Sequence, residues 1–139
     1  MKTWIVGISA AILLMVASLS WAHWRFGSIT NAVAWINGHK VQVDNPLRDL
    51  GTVDRDKEIK VEFGLINLGK EPMKIVGANV SCACILPPHF PIVLEPFATT
   101  PITFNLTSPA KAEPIEQTIN LYIDGDVPAL QLRITGVTQ

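Results

Sequence analysis

Three observations predict an all-β fold: apolar and polar residues alternate with period two, turn signals recur about every ten residues, and both persist over about 100 residues. The expected architecture is an immunoglobulin-like β-sandwich of 7–8 strands preceded by an N-terminal hydrophobic helix. Strands with one apolar and one polar face are what two sheets packed face to face require. With 139 residues there is room for one such domain, placed at 40–139, behind an apolar segment at 1–22 and a connector at 23–39.

The first element is the run Thr3–Ala22, uncharged over about 20 residues, the length a helix needs to cross a bilayer. It reads as an uncleaved anchor with Lys2 held inside, or as a secretory signal with small residues Ser20 and Ala22 at the cleavage positions. Trp4 at one end and Trp21 and Trp24 at the other suit the two membrane interfaces, and the anchor is the preferred reading. Both readings export the remainder of the chain. The domain would then stand on the outer side of the cytoplasmic membrane, periplasmic or extracellular, or be secreted after signal cleavage. In the connector, Phe26, Ile29, Val33 and Ile36 recur at helical spacing. They suit a short amphipathic helix on the membrane surface, or equally a lead-in packed on the domain.

From Lys40 the period changes to two. Val41 and Val43 open it, and Leu50-Gly51-Thr52-Val53 follows a turn containing Pro46. Ile59, Val61, Phe63 and Leu65 face one way while Lys60 and Glu62 face the other, and Asn67-Leu68-Gly69-Lys70 ends the strand in a turn. Met73–Val80 makes the next strand. Pro87-Pro88-His89-Phe90-Pro91 then interrupts the ladder, because proline has no N–H to donate, and Ile92–Glu95 is short enough to be an edge. The last three strands place Ile102, Phe104 and Leu106, then Ile119, Leu121 and Ile123, then Leu130, Leu132 and Ile134 on the apolar side. Asp124-Gly125-Asp126 supplies the hairpin turn before the last of them; as calcium ligands these aspartates are a poorer fit.

Eleven Lys and Arg residues against twelve Asp and Glu give a net charge of -1, and neither sign clusters. Lys57, Lys60, Lys70 and Lys74 alternate with Asp54, Asp56, Glu58, Glu62 and Glu71, the pattern of a solvated face. No basic stripe with interleaved aromatics is present, so nucleic acid is not an expected partner. The expected partners are the membrane, through the N-terminal segment, and a protein. No Gly-x-Ser-x-Gly, phosphate-binding glycine loop or His-rich motif occurs, so neither catalysis nor a cofactor is expected. His23 and His39 have no carboxylate within sequence reach. Asn79-Val80-Ser81 and Asn105-Leu106-Thr107 match a glycosylation acceptor that matters only in a eukaryotic secretory pathway.

The only two cysteines lie in Ser81-Cys82-Ala83-Cys84. In a strand, residues i and i+2 share a face with Cα atoms roughly 6.6 Å apart, near the limit for a bridge, so a disulfide needs tightened backbone. Closing so short a loop contributes only about 1.6 kcal/mol by loop entropy, so a bridge here is no structural staple. A metal site would add the imidazole of His89 to the two thiolates; zinc prefers four ligands at wider spacing, whereas Cu(I) accepts two or three soft ones. A thiol-redox pair is the other chemical reading, although a strand-borne Cys-x-Cys lacks the helix dipole that lowers a thiol pKa. The plainest reading is partly buried thiols, or a bridge, at a strand end.

Those cysteines also carry a resemblance. Val43–Gly136 resembles a bacterial family of exported Ig-like domains of unknown function (the fifteen-seventy-three type), distantly related to Hydin-type (ASH) domains and marked by Ser-Cys-Gly-Cys after an Asn-x-Gly turn. Here the stretch runs from Asn67-Leu68-Gly69 to Ser81-Cys82-Ala83-Cys84. Leu50-Gly51-Thr52-Val53 resembles the family's opening strand, and Ile92-Val93-Leu94-Glu95-Pro96 with Ile102-Thr103-Phe104 the strands after its cysteines. Ala83 and Phe97 replace two of the family's usual glycines, so positive φ is harder to reach at both. The resemblance implies fold and export. The expected role is a non-enzymatic interaction or structural module, engaging its partner through the Cys84–Pro91 segment; the alternative is metal binding or thiol redox at Cys82 and Cys84.

Overall fold

The computed structural model describes residues 2–27, 29–125 and 128–139, apart from the side chains of residues 2–6, 26 and 30. The chain forms two compact units, Met1–His39 and Lys40–Gln139.

In the first unit α1 spans Lys2–Phe26 and α2 spans Ile29–Ile36. The first four residues expected in the connector, 23–26, therefore continue α1, because nothing that breaks a helix intervenes before Gly27. That glycine takes φ 71, the left-handed geometry that ends helices. α2 packs on α1, and its Asn31 and Ala32 are buried.

The second unit holds nine strands among the described residues: β1 Val41–Val43, β2 Leu47–Val53, β3 Glu58–Asn67, β4 Met73–Val80, β5 Ile85–Leu86, β6 Ile92–Leu94, β7 Thr99–Thr107, β8 Pro114–Ile123 and β9 Leu130–Thr138. They form a four-stranded sheet, β1-β3-β7-β5, and a five-stranded sheet, β2-β9-β8-β4-β6. The count exceeds the expected 7–8 because of β5. Two residues between Cys84 and Pro87 cannot display a period. β6 is an edge strand, as its shortness and flanking prolines suggested. Asp126, half of the turn read as Asp124-Gly125-Asp126, lies outside the described residues.

Period two explains the core. β3 and β7 pair antiparallel along their whole length, so Val61, Phe63 and Leu65 lie beside Ile102, Phe104 and Leu106 on one buried face. From the other sheet come Ile75, Leu94, Ile119, Leu121, Leu132 and Ile134. Phe63 and Phe104 meet edge to face at 6.2 Å between ring centroids, the arrangement their quadrupoles favour. β2 joins β9 in parallel through an irregularity between Asp49 and Thr52, where Gly51 takes φ 63. Opposite it, a Cβ on Gly136 would come within 3.1 Å of the Gly51 carbonyl, so any side chain there presses on the β2 backbone.

Buried polar side chains fasten the turns. Asn67 is fully buried; its Nδ2 donates to Glu71 O (2.8 Å) and Leu94 O (2.9 Å), and its Oδ1 accepts from Gly69 N (2.8 Å). Ser108 Oγ donates to Asp54 O (2.6 Å) and accepts from Lys57 N (2.8 Å), holding the β2–β3 loop to the end of β7. The Asn67 carbonyl accepts from Phe97 N at 2.8 Å. Phe97 itself adopts φ 59, so the expected glycine position does impose left-handed backbone on a bulky residue, at a cost of about 1–2 kcal/mol.

Where β1 stops, side chains take over the exposed edge of β3. Asp44 Oδ1 accepts from Gly64 N at 3.2 Å, Arg48 Nε donates to Glu62 O at 2.9 Å, and the two residues form an ion pair at 2.7 Å. Partial burial pushes the Asp44 carboxyl up. Hydrogen bonds from Arg48 and from the backbone of Asn45 and Gly64, together with the Arg48 charge, outweigh it and leave the pKa below 3.8. A carboxyl depressed on folding stabilises above its unfolded pKa and loses that contribution as pH falls through the folded value. Resistance of residues 40–139 to urea should therefore fall as pH drops below about 4, and Asp44→Asn should flatten that part of the profile. Unchanged acid sensitivity in the variant would place the effect in other carboxylates.

Candidate functional site

The cysteine pair lies in the crossing from one sheet to the other. β4 ends at Val80 in the five-stranded sheet, and β5 begins at Ile85 in the four-stranded one. Both flanks are held by hydrogen bonds. Ser81 N donates to Thr118 O (3.0 Å), while Ser81 Oγ accepts from Thr118 N (2.9 Å) and donates to Gln117 Oε1 (2.5 Å). After the pair, Thr107 N donates to Cys84 O at 2.9 Å, and β5 then pairs Ile85 with Leu106 and Leu86 with Asn105.

Between these anchors Ile85 N donates to Cys82 O at 3.3 Å, closing a turn. The pair is therefore not on a strand. The turn brings the two Cα atoms to 5.2 Å, inside the range a bridge needs, and Cys82 and Cys84 are joined as a disulfide. Among the described residues, positive φ outside glycine occurs only at Asp56 and Phe97, so Ala83 meets no backbone demand for glycine. Ala83 is exposed, while Cys82 and Cys84 are half-buried against the core.

The third metal ligand considered, His89, is exposed in the segment after β5. Among the described residues no three His, Cys, Asp or Glu side chains are gathered in a way that could hold a metal ion, so Cys82, Cys84 and His89 do not form such a group. Phe90 packs partly on the core, and the Phe90–Pro91 peptide is cis. Leu86 points outward at 62% exposure, the most exposed large apolar side chain described in the sandwich. Its exposure comes from the two-residue strand β5, which left no sequence signal. The burial of Asn67 was equally hidden, since Asn-x-Gly marks a turn whether or not the side chain is enclosed.

The three candidate interface tryptophans all belong to α1. Trp21 and Trp24 are exposed, and the side chain of Trp4 lies outside the described residues. Among the described residues α1 is the one helix long and apolar enough to cross a membrane, over Gly7–Arg25, and a signal sequence would have the same properties.

Two sheets in this order, with β2 added in parallel to the second, define an immunoglobulin-like sandwich. The ASH / PapD-like domain 7 of human CEP192 superposes with a TM-score of 0.55 at 13% identity, over 72% of this chain and 85% of that one. A protein of unknown function from Porphyromonas gingivalis W83 gives 0.58 at 12% identity, over 70% of this chain and 46% of that one. The VesB protease of Vibrio cholerae gives 0.56 at 12% identity, over 76% of this chain but 34% of that one. At such identities the likeness is one of fold alone. No curated protein matches the sequence. The chain belongs to the family described as Protein of unknown function (DUF1573), whose pattern matches residues 41–138.

Proposed function

We propose that the chain is a non-enzymatic interaction module, exported and held at the outer side of the cytoplasmic membrane by α1, with a protein partner docking on the Cys84–Pro91 segment. The observation that carries this reading is Leu86. A large apolar side chain exposed to 62% on an edge strand offers buried area to a partner, beside a disulfide-closed turn that limits the entropy lost on docking. Pro87, Pro88 and Pro91 leave few N–H donors in the segment, so recognition rests on side chains rather than strand addition. A photo-crosslinking residue at position 86 of the full chain, expressed in its own cells, should yield one discrete adduct. The same residue at exposed Lys70, in the β3–β4 turn at the opposite end of β7, should not. Equal adducts from both positions, or none from 86, would sink the proposal.

A second reading has one observation in its favour, the Cys82–Cys84 bridge. With Ser81 and Ile85 anchored independently, the two sulfurs would stay adjacent when reduced and could close again. In the exchange, a thiolate of an exported dithiol attacks one sulfur and expels the other as thiolate. The partner's second thiol then resolves the mixed disulfide, so the partner leaves oxidised and Cys82 and Cys84 leave as thiols. Cys82→Ser/Cys84→Ser separates the readings. The interaction module keeps its position-86 adduct and loses at most about 1.6 kcal/mol of stability, the loop-entropy value for so short a ring. A redox protein loses its function outright.

A further inference from the structure

α2 is built inside out. At 3.6 residues per turn, Ile29, Val33 and Ile36 fall on one stripe about 60° wide, and Asn31 lies on the opposite side. A helix bathed in water buries such a stripe and exposes its asparagine. Here Asn31 is 8% exposed against 48%, 50% and 74% for Ile29, Val33 and Ile36. Trp35 lies off the stripe, one turn on from Asn31, and is 44% exposed.

Two further observations say what faces the stripe. α2 begins three residues after α1 ends, which is at most about 10 Å of extended chain, and α2 packs on α1. A membrane-spanning α1 therefore keeps α2 at the bilayer surface. The charge agrees, because no Asp or Glu precedes Asp44, whereas Arg25 and Lys40 flank α2, as anionic headgroups favour. We infer that α2 is an interfacial helix whose Ile29–Val33–Ile36 stripe is sunk among the outer-leaflet lipids, holding the start of the sandwich close to the membrane. This inference rests on the anchor reading of α1.

The test is depth-resolved quenching in the full chain, reconstituted in vesicles of phosphatidylcholine with phosphatidylglycerol. One variant carries Val33→Trp as its only indole (with Trp4→Phe, Trp21→Phe, Trp24→Phe and Trp35→Phe), and a second keeps Trp21 alone (Trp4→Phe, Trp24→Phe, Trp35→Phe). The expected result is that lipids spin-labelled near the headgroup quench the position-33 indole more than chain-end labels do, placing it about 5–10 Å into the interface, with aqueous acrylamide nearly excluded. Adding Ile29→Asp and Ile36→Asp to the first variant should return that indole to acrylamide. A position-33 indole open to acrylamide while Trp21 is quenched by lipid overturns the interfacial helix and leaves the anchor standing. Both open to acrylamide overturns the two together. A position-33 indole shielded from acrylamide and lipid labels alike means that protein covers the stripe, such as a second copy, and also overturns the inference.

Discussion

Phe104→Ala is expected to lower the stability of residues 40–139 by about 4 kcal/mol, a large share of what a domain of this size possesses. The reason is position. Phe104 is fully buried, meets Phe63 edge to face, and lies on β7, which is paired with β3 on one side and β5 on the other. Removing the ring loses its transfer free energy and leaves a cavity that the two central strands are too tightly paired to close. Urea unfolding should show a lower midpoint with unchanged slope, the sign that the native and unfolded ensembles are otherwise intact. A cycle with Phe63→Leu and Phe104→Leu should return a coupling of about 0.5–1.5 kcal/mol from the ring pair. A loss below about 2 kcal/mol for Phe104→Ala would mean that the core repacks freely, contrary to the dense interior described.

Asn67→Ala should cost about 3 kcal/mol although it removes no apolar surface from the core. Its amide bonds reach the Leu94 carbonyl at the end of β6, the Glu71 carbonyl and the Gly69 N–H, and its own carbonyl receives Phe97 N–H. One side chain thus ties the β3–β4 turn to the end of β6, across the two sheets. Alanine keeps the bond from Phe97 N–H but leaves the buried Leu94 carbonyl without a partner and unties the Glu71 carbonyl and the Gly69 N–H, and desolvation without compensation is the costly case. Asn67→Asp should be at least as damaging, because a carboxylate puts an acceptor oxygen where Nδ2 had donated to the Leu94 and Glu71 carbonyls. Thermal unfolding of residues 40–139 gives the readout: about 4–8 °C is expected per kcal/mol, so a midpoint shift of only a few degrees would contradict the role assigned to Asn67.

Most of the sandwich was legible because its strands are half-buried, and a half-buried strand must alternate. Ile59, Val61, Phe63 and Leu65 could be assigned to one face without knowing what they touch, and the same holds for β7, β8 and β9. β5 was not legible, since two residues carry no period. The pairing of β2 with β9 in parallel was hidden for another reason: sheet order depends on which strands meet, and alternation says only which side faces inward. The cysteine turn shows both limits. Ser-Cys-Ala-Cys at the end of a strand was evident, but the bend that brings the Cα atoms to 5.2 Å depends on Thr118 and Thr107, which lie far along the chain.

By itself the sequence determined the apolar N-terminal helix, the all-β character of residues 40–139, the faces of the long strands and the place of the cysteine pair. Each follows from local rules of period, turn chemistry and length, which act over a few neighbouring residues. Only the tertiary structure decided that Asn67 and Ser108 are buried ties, that His89 stands apart from any group of metal ligands among the described residues, that Leu86 is exposed, and that α2 turns its apolar stripe outward. Those are statements about what surrounds a side chain, and its surroundings come from residues tens of positions away, brought close only when the sheets pack.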